Sequence, residues 1–211
     1  MGTGVQDAGQ LSYLRKELMN NQLYCILDLE CSCWQVRNGL PDDPEIIEIG
    51  VVLLKEHSFP MPVKYEELVS FRSFVRPQRN VHLTGACKSL LKITQENVDS
   101  AMSFAFVHSQ MWSQFLPYIE KDSGIIFCSW GNSDWQMYKK TCEEQEVKVK
   151  FLRNIDLTKV FAKYLSKRDW GVCGALQLLK KSFVGQEHRA LDDAQNTAII
   201  LQEIRRQGAR V

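Results

Sequence analysis

Gly124-Ile125-Ile126-Phe127-Cys128-Ser129-Trp130-Gly131-Asn132-Ser133-Asp134 reads as a buried strand that runs into the cap of a helix reaching about Gln145. Strand and helix then repeat at Asn154 to Asp156 and Leu157 to Leu165, so this half of the chain alternates β and α. Upstream the pattern differs. Leu23 to Glu30, Ile46 to Leu54 and Leu68 to Val75 are apolar, β-branched runs in series, the last ended by the Arg76-Pro77 turn signal. Three strands with no helix between them predict an antiparallel opening. Thr94, with Asn97 and Val98 in the first turn behind it, predicts a helical stretch continuing through Phe104 to Ile119. Gly174 to Phe183 and about Arg189 to Gln207 are the closing helices. The fold class is α/β, a mixed sheet with helices packed on it. Residues 1–20 read as an extension, with Leu11 to Met19 as a short helix, and 21–207 as one domain.

Composition agrees with a single globular domain: 211 residues, 45% hydrophobic and 24% charged, are enough for a real core. The formal charge of +1 means that contact with a polyanion requires a local basic patch. Lys139, Lys140, Lys148, Lys150 and Arg153 form the densest one, read as a phosphate track or a solvated face. Seven cysteines, several inside apolar runs, suit reduced core thiols and an intracellular location, cytoplasmic or nuclear. Cys31-x-Cys33 lacks the spacing of a structural zinc site. Residues 1–10 lack the order of a secretory signal, Gln6 stands where a myristoylation site has Ser or Thr, and no apolar run is long enough to span a bilayer. No membrane role is expected.

Charges that break an apolar pattern identify the candidate site. Alternation along Tyr24-Cys25-Ile26-Leu27-Asp28-Leu29-Glu30 puts Asp28 and Glu30 on one face, with Cβ atoms roughly 6 to 7 Å apart. Carboxylates that close repel unless a cation neutralises them, and a hard divalent ion suits their oxygens. Taken alone, the pair also fits a strand end emerging into solvent. In His188-Arg189-Ala190-Leu191-Asp192-Asp193-Ala194, helical phase separates the two aspartates: 190, 193, 197, 200 and 204 form an inward stripe, whereas 192, 195, 196, 202 and 206 face outward. Asp193 is therefore the buried acid, in need of a partner, and Asp192 a solvated first-turn charge. His188 stands just before the helix, as a general base or as a surface histidine, the reading also given to His57, His82 and His108. Asp134, in a helix's first turn beyond a strand's C-terminal end, fits both a dipole-stabilising charge and a site residue.

The ordered set Asp28, Glu30, Asp134, His188 and Asp193 resembles the DEDDh 3′-to-5′ exonucleases, over roughly Leu23 to Ile204. Within them the resemblance is closest to the histone-mRNA and small-RNA exonuclease branch and its Snipper relatives. Carrying it are 27–34 with its Asp28-Leu29-Glu30, Glu45 to Gly50, Ile93 to Ala101, Ser129-Trp130-Gly131 and His188 to Ala198. The resemblance implies a ribonuclease H-like fold, a five-stranded mixed sheet of three antiparallel then two parallel strands flanked by helices. It further implies two-metal phosphodiester hydrolysis with Mg²⁺ or Mn²⁺, the ions about 3.5 to 4 Å apart. Asp28 bridges both ions by that analogy, Glu30 and Asp193 complete the nucleophile-side site, Asp134 supports the second ion, and His188 is general base to the attacking water. Single-stranded RNA or DNA 3′ ends are the implied substrate, with RNA favoured, and nucleoside 5′-monophosphates the product.

Departures from that pattern lie in the substrate shell. Cys31-Ser32 replaces the family's Ala-Thr, keeping a small residue and the Ser32 hydroxyl. Leu90-Leu91-Lys92 abuts Ile93-Thr94 where the branch has Leu-Thr-Gly, and a Leu83-Thr84-Gly85 occurs seven residues early. Leu91 is carried over as a substrate-binding residue. Trp34 and Trp130 flank the acidic motifs, as base-stacking planes or as core. Glu48 fits a supporting role near the metals or a cross-strand ion pair. The rival readings are a DNA-directed exonuclease of the same chemistry and a silent nucleic-acid-binding domain that keeps the fold.

Overall fold

A computed structural model of the chain describes residues 21–32, 35–37, 40–57, 62–119, 124–165 and 170–210. The expected extension at 1–20, its helix at Leu11 to Met19, Cys33 and Trp34 lie outside the described residues.

At the centre of the sheet is β1 (Asn21–Cys31), antiparallel to β4 (Ile46–His57), which in turn pairs antiparallel with β5 (Lys64–Phe74). On its other side β1 runs parallel to β6 (Ile125–Ser129), and β6 parallel to β7 (Asn154–Asp156). The order is β5-β4-β1-β6-β7, the three antiparallel and two parallel strands expected. A small ribbon, β2 (Gln35–Arg37) with β3 (Leu40–Asp42), fills the connection after β1. β5 begins four residues before the expected Leu68. It is the edge strand, and its first residues are polar and largely exposed, so no apolar run announces them.

Alternation sorts the core into two layers. Leu23, Cys25, Leu27 and Leu29 of β1 point to the face covered by α3 (Phe104–Phe115) and α4 (Ser133–Glu144). Tyr24 and Ile26 point to the other, covered by α5 (Leu157–Tyr164) and α7 (Ala190–Arg206) through Leu157, Ala194, Ala198 and Leu201. Asp28 and Glu30 continue the second face, so the strand aims both acids at α7. Gly50 lets that helix come down onto β4: a Cβ there would lie 2.0 to 2.2 Å from backbone atoms of Ala190 and Leu191.

Several elements depart from expectation. The stretch read as continuous from Thr94 to Ile119 is two helices. Thr94 closes a capping box on α2 (Gln95–Asp99), the chain then extends so that Met102 bridges Val75, and Ser103 caps α3 afresh. A 3₁₀ turn, Leu116–Tyr118, ends it at Pro117. Unanticipated, α1 (Gly85–Leu91) is capped by Thr84, which accepts from the Cys87 N–H. α6 (Val172–Leu178) stops short of the expected Phe183, the chain reversing at Lys180 with φ 56°. His108, read as a surface histidine, is buried on α3 among Phe104, Trp112 and Tyr138, and burial lowers its pKa to about 4. Cys25, Cys87, Cys128 and Cys142 are buried, and Cys31 and Cys173 half-buried.

Candidate active site

Asp28, Glu30 and Asp193 bring carboxylate oxygens within 4.8 Å of one another. β1 supplies the first two from adjacent same-face positions, and the first turn of α7 supplies the third. Asp134 joins them from α4. The parallel register sets Ile26 beside Cys128, so β6 ends at Ser129 just short of Asp28, and past a short loop, in the first turn of α4, the Asp134 carboxylate accepts the backbone N–H of Leu29 as well as its own. Four acids from three elements thus meet at the C-terminal ends of β1 and β6.

Their electrostatics are those of acids crowded together out of water. Burial, and then the negative charge of Asp134, Asp193, Glu30 and Glu48, pushes Asp28 well above the carboxylate range. Burial and the same neighbours raise Glu30 to about 8. Asp134 rises to about 7 through burial, against the two N–H groups that donate to it. Burial raises Asp193 to about 6, opposed by the Arg189 N–H at 3.0 Å and by His188. An all-oxygen donor set that repels itself fits a hard divalent ion such as Mg²⁺ or Mn²⁺.

His188 is exposed in the turn before α7, in left-handed backbone at φ 64°. It lines a cleft of about 490 Å³ with Leu90, Lys92, Phe183, Gly185, Gln186 and Glu187. The neighbouring Asp192 is no solvated charge. It is half-buried and accepts the Gln186 N–H at 2.8 Å. Asn196, placed outward by phase, is fully buried, donating to the carbonyls of Val184 at 2.8 Å and Asp192 at 2.7 Å. Both residues brace the loop that forms the cleft wall, and polar groups so used need not follow the apolar stripe.

The substrate-shell candidates fare unequally. Leu91 is buried against Ile47, Cys87 and Ile93, whereas Leu90 is half exposed and faces the cleft. The cleft position next to His188 is therefore Leu90's. Lys92 sits at φ 51°, left-handed backbone, where the branch pattern has glycine. Ser32 is buried just beyond β1, its Oγ accepting the Glu45 N–H at 2.9 Å. Trp130 packs edge-on against Phe161 and donates its indole N–H to the Trp170 carbonyl at 2.8 Å, a structural engagement. Of the basic stretch, Lys140 pairs with Asp43 and Glu144, while Lys148 and Lys150 lie in the connection leading to the N-terminal end of β7. There Leu152 bonds to Ile125, about 13 Å along β6 from Ser129 at 3.3 Å per residue. Those lysines therefore lie toward the end of β6 opposite the acids, Lys150 with its Nζ 5.2 Å from the centre of the Trp112 ring. Sequence reasoning passed over Arg189. Its bidentate partner is Glu48, the charge inside the apolar run Ile46 to Ile49, which was the available signal.

The strand order and the placing of the acid cluster are those of a ribonuclease H-like architecture. The exonuclease family described as RNase_T matches residues 25–201, and the chain belongs to it. It is 30% identical to zebrafish "ERI1 exoribonuclease 2", covering 88% of this chain and 35% of that one, and 35% identical to the Bacillus subtilis "Probable 3'-5' exonuclease KapD", covering 72% and 68%. The chain therefore spans about a third of the length of the zebrafish relative. Among solved structures, the nuclease domain of 3'hExo, a DEDDh family member bound to rAMP, superposes with a TM-score of 0.74 at 26% identity, covering 90% of this chain and 94% of that one.

Proposed function

We propose that this chain is a divalent-metal-dependent 3′-to-5′ exonuclease that shortens single-stranded RNA from its 3′ end and releases nucleoside 5′-monophosphates. The convergence of Asp28, Glu30 and Asp193 within 4.8 Å, with Asp134 tied to the same strand, carries the reading. In this reading the four acids hold two Mg²⁺ or Mn²⁺ ions, which supply an activated water and neutralise charge on the phosphate. His188, one turn before Asp193 and open to the cleft, takes the proton of the attacking water and passes it to solvent. Leu90 and Phe183 offer the terminal nucleoside an apolar wall, and Lys92 a positive charge. The relatives named exoribonucleases and the neighbour bound to rAMP favour RNA over DNA.

The test is a 5′-labelled single-stranded RNA or DNA incubated with Mg²⁺ or Mn²⁺, run beside Asp28→Ala and His188→Ala. A ladder receding from the 3′ end, faster on RNA and absent in both variants, is expected. An undegraded RNA together with a receding DNA would transfer the reading to a DNA-directed enzyme. Degradation of neither would leave a binding domain.

A further inference from the structure

Arg189 is gripped from three directions. Its Nε and Nη2 donate to the two carboxylate oxygens of Glu48 at 3.2 and 3.0 Å, and its guanidinium lies 5.4 Å from the centre of the Phe74 ring. Its backbone N–H donates to Asp193 at 3.0 Å. The same residue follows His188 directly, so one arginine links the middle of the sheet to both the base and the acid of α7. Glu48 is fully buried and stands opposite Glu30 across β1 and β4, a fifth carboxylate beside four. Arg72 approaches it only to 4.0 Å and is half exposed.

Such a pair is unnecessary for docking the helix. Gly50 already lets the Ala190 backbone sit on β4, and Ala194, Ala198 and Leu201 supply the apolar contact. Buried ion pairs seldom add net stability over apolar residues of like volume, whereas a planar guanidinium fixes direction. We infer that Arg189 is a positioning residue for the reaction and Glu48 its anchor. Together they hold the left-handed turn at His188 and the Asp193 carboxylate in register with Asp28 and Glu30, and the guanidinium keeps Glu48 out of the metal set. The inference rests on the exonuclease reading for its catalytic arm and on the acid cluster alone for its metal arm.

Two variants test it, Arg189→Lys, which keeps the charge but loses the fork, and the apolar replacement Glu48→Leu/Arg189→Met. For each, the melting temperature, the Mn²⁺ affinity by calorimetry, and kcat and KM on single-stranded RNA are measured. The double replacement is expected to melt within a few degrees of the parent, yet to lose about 10- to 100-fold in Mn²⁺ affinity and in kcat, with KM little changed. Arg189→Lys should recover part of both losses. Parental Mn²⁺ affinity and kcat in a folded double replacement would overturn the inference. Should the double replacement not fold, parental values in Arg189→Lys would overturn it equally. If the parent cuts neither RNA nor DNA, the exonuclease reading fails, while the Mn²⁺ arm still decides the role of the pair.

Discussion

Glu30 and Glu48 face each other directly across β1 and β4, yet only Glu48 has an arginine fork of its own. Two carboxylates on neighbouring strands thus have different surroundings: one is paired with an arginine, and the other is buried among further acids, which raises its pKa to about 8.

That crowding of buried acids makes stability depend on pH in a defined direction. From ordinary values of 3.8 to 4.5, Asp193, Asp134 and Glu30 are raised to about 6, 7 and 8. Across that window the folded, metal-free state keeps protons that the unfolded state has released. These groups therefore favour folding fully below their unfolded values, and the contribution is lost as pH climbs to 8. Scanning calorimetry with chelator should show the melting temperature falling from pH 5.5 to 8. Mn²⁺ should restore more at pH 8 than at 5.5, and an equal shift at both would contradict the assignment.

Asp28→Asn removes, at constant shape, an acid held well above the carboxylate range. Activity should fall by roughly 100-fold or more, the loss of several kcal/mol of charge stabilisation. The metal-free protein should melt higher than the parent, because a buried repulsion is gone. A variant that melts lower would show that Asp28 is held by partners other than a cation.

Gly50→Ala places a methyl 2.0 to 2.2 Å from the Ala190 and Leu191 backbone. Helix α7 must move, at about 1 to 3 kcal/mol or more. Urea titration reads the destabilisation, and Mn²⁺ affinity should fall with it because Asp193 rides on that helix.

Leu90 and Leu91 should separate cleanly. Leu91→Ala is expected to lose about 2 to 5 kcal/mol in denaturant unfolding as a core deletion. Leu90→Ser should leave the melting temperature within a degree or two and raise KM for RNA several-fold, since its side chain faces the cleft. The reverse pattern would return the substrate contact to Leu91.

His108 acts on the acid side. Burial holds its pKa at about 4, below the ordinary 6.5, so the unfolded chain gains a proton there that the folded chain refuses. Stability from this group is present above pH 6.5 and lost as pH falls toward 4. In His108→Phe the melting temperature relative to the parent should therefore rise progressively between pH 7 and 5.

The sheet was legible because its strands rest on a period of two, whereas Asp28 and Glu30, a pair that also fits a strand end emerging into solvent, needed the ordered resemblance to become convincing. Although both prove half-buried rather than one buried and one solvated, Asp193 was separable from Asp192 by phase as the acid that joins the cluster. Asp134 was not, since an acid in a first turn has a sufficient local explanation and only the Leu29 N–H, a contact between distant segments, distinguishes it. Phase misled at Asn196, whose burial depends on bonds to Val184 rather than on apolar packing. The break between α2 and α3 escaped notice because Met102 is drawn out by Val75, a tertiary pairing that local propensity does not contain. In the same way α1 is only seven residues long, too short for a helical period to show.

Glu48 and Arg189 lie 141 residues apart in sequence, and contacts of such separation close late in folding. During synthesis, β1, β4 and α4 can pair while α7 is still unmade, leaving Asp28, Glu30 and Asp134 without Asp193 or His188. The acid cluster is therefore completed last, when α7 comes down onto β4 at Gly50.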